Sequence, residues 1–74
     1  MIQDLSKELA AVCDAAERGE KVTAIHLFGI RNSDALKDLS LGELNKIASL
    51  AGQSPKYGTE LRKMVRLSKH VKVK

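Results

Sequence analysis

The chain has 74 residues, 43% of them hydrophobic and 30% charged, with a net charge of +4 and a single cysteine. That length supplies one modest core and no room for an elaborate catalytic cleft. No apolar run approaches the roughly 20 residues of a membrane span, and Cys13 has no partner for an internal disulfide.

The amino end, "MIQDLSKELAAV", carries an acid early and lacks the basic region and apolar block of a secretory signal. With the lone thiol, this predicts a reducing, cytoplasmic setting. The first predicted element is an amphipathic helix over residues 2–18. Leu5, Leu9, Val12 and Ala16 fall on one stripe with Cys13 beside them, while Lys7, Glu8, Asp14 and Glu17 point elsewhere. Gly19 is a fitting stop. The stripe serves to pack on its own domain or against a second copy.

Residues Val22, Ala24, Ile25, Leu27, Phe28 and Ile30 form a dense apolar run that periodicity alone leaves open between strand and helix. No second strand is evident to pair with a first. The run continues at helical spacing through Ile25, Phe28, Asn32, Ala35 and Leu36, so a helix is expected over 22–38, bent near Gly29, with Phe28 at the centre of the core.

Ser40 followed by Glu43 is a capping box, which starts a third helix at Leu41. Leu44, Ile47, Ala48 and Ala51 line its inner face, and Gly52 supplies the left-handed residue that ends it at about 51. Ser54 then caps a fourth helix over 55–68, with Pro55 at its first position, where a missing N–H costs nothing. The expected fold is all-α, a compact bundle of about four helices. The tail "KHVKVK" reads as a short strand or a basic arm over 69–74.

Charge is divided unevenly. Residues 54–74 carry seven lysines and arginines against Glu60 alone, a net of +6, whereas residues 1–53 carry six against eight acids, a net of −2. A basic carboxyl end of this kind suits a polyanion. On a wheel of about 100° per residue, Tyr57, Leu61, Met64 and Val65 gather on one side of the fourth helix and Lys56, Thr59, Arg62, Lys63 and Arg66 on the other. Glu60 is expected to pair with Lys56 or Lys63.

"KIASLAGQS" resembles the helix-turn-helix family of DNA-binding domains, with small Ala48 at the helix crossing, Ala51 before the turn, Gly52 in it and Leu61 as the inward anchor. "AIHLFGI", "SLGELNKIASLAG" and "KYGTELRKM" are together similar to short bacterial proteins of helix-turn-helix-like type, over about residues 24–73. In two places the chain departs from that pattern. Gly58 stands where a branched apolar residue is usual, and Gln53 where an apolar residue often follows the glycine, which predicts a shallower helix contact.

The resemblance implies that the helix beginning at Pro55 is a recognition helix for double-stranded DNA, in a transcriptional regulator or accessory factor. Ser54, Lys56, Thr59 and Lys63 are then the candidates nearest the bases, with Gln53 just ahead of them. Arg62, Arg66 and Lys69 are placed for phosphates, and the amino-terminal N–H groups form a further phosphate site. A homodimer or a second regulatory protein as partner fits so small a module. The competing reading is a protein-interaction module, such as an antiactivator, that holds an acidic patch with the same helix pair. RNA is less well served, since stacking aromatics are missing.

Nothing points to catalysis, a cofactor, a small-molecule substrate or a membrane. His26 and His70 stand alone, no Cys/His spacing makes a metal site, and no nucleophile, base and orienter are set together.

Overall fold

The computed structural model describes residues 2–71, and all the regular structure among them is helical. The elements are α1 (Ile2–Ala15), α2 (Lys21–Arg31), α3 (Ser33–Leu36), α4 (Leu41–Leu50) and α5 (Tyr57–Leu67). Each contributes to one core. Leu9 of α1, Ile25 of α2, Leu36 of α3, Leu44 and Ile47 of α4 and Leu61 of α5 are fully buried, and burying each such side chain is worth roughly 1.5–3 kcal/mol. Leu5, Cys13, Phe28 and Ala51 complete the cluster. Burial pushes the Cys13 thiol above its ordinary pKa, against a smaller opposing pull from Lys21. The thiol is therefore a packing group and not a nucleophile at neutral pH.

The helical reading of residues 22–30 holds, but the expected helix over 22–38 is two. α2 runs through Gly29 without a break and stops at Asn32, whose side-chain amide donates to the Phe28 carbonyl at 3.0 Å. The same carbonyl accepts the Asn32 backbone N–H at 3.0 Å, so Asn32 binds it twice, and this local side-chain bond marks the end of α2. The one-turn α3 then delivers Leu36 to the core. The first helix also ends earlier than residue 18, at Ala15, and a turn carries the chain to Gly19 with φ +87°.

Both local signals around α4 are realised. Glu43 N–H donates to Ser40 Oγ at 3.1 Å and Ser40 N–H to the Glu43 carboxylate at 3.0 Å, closing the capping box. At the other end Gly52 takes φ +82°. Gln53 N–H reaches back to the Ala48 carbonyl and Gly52 N–H to that of Ser49, the paired bonds of a Schellman cap. Of the tail, Val71 lies outside regular structure. Lys69 and His70 form a turn that continues from α5, with their N–H groups donating to the Arg66 and Leu67 carbonyls. No strand is therefore present over 69–71, and the rest of the expected strand or arm, residues 72–74, lies outside the described residues.

α5 lies across α2 and α4, and α1 packs on the same two helices. Two glycines set how closely α5 approaches. A Cβ on Gly29 would stand 2.8 Å from Met64 Cβ, and one on Gly58 would stand 2.6 Å from the backbone N and 2.8 Å from the Cα of Asn45. The expectation of a shallower contact at Gly58 is thus reversed. The missing side chain lets α5 sit directly on the α4 backbone. Asn45 Oδ1, which is buried without a conventional donor, lies against the same glycine, an arrangement suited to a Cα–H···O contact.

Candidate nucleic-acid interface

α5 starts two residues later than expected. Lys56 is its flanking residue, and Pro55 belongs to the preceding turn and not to the first helical position. The turn is tight, because the N–H groups of Tyr57, Gly58 and Thr59 donate to the carbonyls of Ser54, Pro55 and Lys56 at 3.0, 3.0 and 3.2 Å. Ser54 Oγ accepts from Lys56 N–H at 3.3 Å. The N–H groups expected to form a phosphate site are therefore turned onto the chain's own oxygens. This amino end offers an anion side chains, not backbone.

The side chains sort by edge. Leu61 and Gly58 are buried, and Tyr57, Met64 and Val65 are half-buried on the inner side, as the wheel expects. Gly58 marks the edge toward α4, and Met64 and Glu60 mark the edge toward α2. Between those edges, on the outer arc, Lys56, Thr59, Lys63 and Arg66 are exposed. At about 100° per residue Lys56 aligns with Lys63, and Thr59 with Arg66, so the four form two adjacent rows. Arg62 is half-buried at the margin nearer α4, and Lys69, exposed beyond the helix end, continues the Arg62 row. Ser54 is exposed in the turn. Gln53 is half-buried, and its N–H is committed to the cap of α4. Of the eight expected residues, Ser54, Lys56, Thr59, Lys63, Arg66 and Lys69 are exposed, and Gln53 and Arg62 are half-buried.

One acid touches this ridge. Glu60 is half-buried and accepts from His26 Nε2 at 3.1 Å through one oxygen and from Lys63 Nζ at 3.1 Å through the other. The Lys63 pairing was expected. The His26 pairing, across a separation of 34 residues, has no local signal and could not be read from the sequence. It makes His26 a boundary residue that ties α2 to α5. Lys63 is the only ridge cation with an ion pair among the described residues, and its side chain stays 61% exposed.

The hydrogen bond from His26, then that from Lys63, holds the Glu60 carboxyl below its ordinary pKa. A carboxyl depressed in the folded state stabilises the fold above its unfolded pKa, and that contribution disappears as pH falls through the folded value. The stability difference between the wild type and Glu60→Gln should therefore be present at neutral pH and shrink as pH drops below about 4.3, the ordinary glutamate value. Urea midpoints of both proteins across the acid range read this directly. A difference independent of pH contradicts the pairing.

A family model described as an HTH-like domain matches residues 1–74. The chain belongs to the HTH-like domain family. The match extends the resemblance, which the motifs carry over 24–73, to include α1. No curated protein and no solved structure matches the chain.

The rest of this HTH-like surface offers little chemistry. Among the described residues no group of three or more His, Cys, Asp or Glu side chains is placed to hold a metal ion. No helix among them is long and apolar enough to cross a membrane.

Proposed function

We propose that this chain is a single-domain, double-stranded-DNA-binding protein, a transcriptional regulator or an accessory factor to one, in which α4 and α5 are the helix-turn-helix pair. The observation that carries the reading is the outer face of α5, where Lys56, Lys63 and Arg66 are exposed beside Thr59 and a single acid, Glu60, borders them. Membership of the HTH-like family supports the same reading. An α-helix fits the major groove of B-DNA, where side chains of its outer face meet base edges and cations at its margins meet phosphates.

In this proposal Thr59 and Lys63 approach bases from the middle of the face, with Lys56 and Ser54 at its leading end and Gln53 behind them. Arg62, Arg66 and Lys69 grip phosphates along the flanks. Since the amino-terminal N–H groups of α5 are internally bonded, phosphate binding depends on these side chains.

Anisotropy titrations of labelled random duplex DNA at several salt concentrations test the proposal. Counting Lys56 and Lys63, whose charges also lie close to the backbone, with Arg62, Arg66 and Lys69, four or five cations displace counterions, and log affinity should fall against log salt with a slope of roughly −4. A flat dependence, or no binding at low salt, refutes DNA as the target and leaves an acidic protein as the partner of this face.

A further inference from the structure

We infer that the groove between α1 and α4 is the interface through which two copies of this chain associate. The groove has a volume of about 360 Å³ and is lined by Gln3, Ser6, Lys7, Ala10 and Leu50. Leu50, at 55% exposure, is the most exposed of the large hydrophobic side chains described. The one buried polar group on the floor, the Ser6 hydroxyl, donates to the Ile2 carbonyl at 2.7 Å and asks for no further partner. A groove with a satisfied floor and a projecting leucine favours an apolar occupant.

The charges around it identify the occupant. Lys7 lines the groove. By helical period Asp14 falls in the same row of α1, and Lys46 and Glu43, the latter also accepting from Ser40 N–H, fall on the Leu50 side of α4. The rim thus carries two cations and two acids in a chain that is otherwise basic. A two-fold contact places the same patch on both sides and must be self-complementary. A mixed, neutral rim meets that requirement, whereas the α5 ridge would face its own charge. With the axis near Ala10 and Leu50, the two α1 helices run antiparallel. Lys7 of one copy then lies against Asp14 of the other, and each Leu50 enters the opposite groove. Leu50 is also about 140° around α4 from Asn45, the residue touching α5. Both basic ridges are therefore left outside the dimer.

Sedimentation of the full chain without DNA tests this independently of any DNA reading. The average mass should rise from 8.1 kDa toward twice that value with concentration. The midpoint should lie in the range of about 10–100 µM expected of a small interface. Leu50→Glu, on an exposed side chain, should keep native far-UV circular dichroism and raise the dissociation constant at least about tenfold, since a carboxylate would be driven into an apolar groove. Lys7→Glu should weaken the dimer, and adding Asp14→Lys should restore it. A single 8.1 kDa species up to about 1 mM overturns the inference. So does a dimer indifferent to Leu50→Glu, or a charge-swapped double variant that does not recover.

Discussion

Gly58→Ala should destabilise the fold by about 1–3 kcal/mol, the range for overpacking a tight contact, even though alanine in place of glycine would favour an exposed helix by about 1 kcal/mol. The added methyl meets the Asn45 backbone at 2.6 and 2.8 Å. Backbone cannot swing aside as a flexible side chain can, so α4 and α5 must separate. For a domain of this size each kcal/mol lowers the melting temperature by roughly 4–8 °C. Total stability is only of order 0.05–0.15 kcal/mol per residue, so the larger Gly58→Val should come close to abolishing the fold. Gly42 is the control, since a Cβ there meets only Ser40 Oγ at 3.8 Å. Gly42→Ala should leave stability unchanged or raise it by a few tenths of a kcal/mol. Thermal melts of the three variants decide the matter, and a Gly58→Ala protein as stable as the wild type contradicts the close crossing of α4 and α5.

The second large effect concerns binding. Lys63→Ala combined with Arg66→Ala removes two exposed cations of the ridge and no core contact, so the melting temperature should hardly change. Two counterion-displacing cations fewer, Lys63 beside the bases and Arg66 on a phosphate, should reduce the salt slope by about 2 and weaken binding to random duplex roughly 10- to 100-fold near physiological salt. The two residues occupy neighbouring rows on the helix, and removing both leaves Lys56, Arg62 and Lys69 only at the margins. Equal affinity and an equal salt slope for the variant and the wild type contradict the choice of docking face.

What could be read in advance followed the range of the interactions. The Ser40–Glu43 box and the Gly52 turn are contained within a few residues, so the sequence itself specifies them, and α4 appears with almost the boundaries expected. The inner stripe of α5 is equally local in cause, because the spacing of Tyr57, Leu61 and Val65 selects the buried side. The break at Asn32 was hidden because neither glycine nor proline marks it. Only an amide reaching back to the Phe28 carbonyl marks the end of α2 there. The role of Gly58 was hidden more deeply. A glycine seen alone reads as a weak helix position, and only the α4 backbone passing against it explains its presence. The same holds for the site. The outward ridge follows from helical period, whereas the link from His26 to Glu60 and the inward-bonded N–H groups before Thr59 depend on how the chain turns in space.

The central claim is that the outer face of α5 meets duplex DNA, and residue-resolved amide NMR shifts during titration with a random duplex at low salt address it most directly. The largest shifts should fall on Lys56, Thr59, Lys63 and Arg66, spread to Ser54 and Lys69, and leave Lys7, Ala10 and Asp14 of α1 unmoved. Shifts concentrated on α1, or none at DNA concentrations that saturate other helix-turn-helix domains, contradict it.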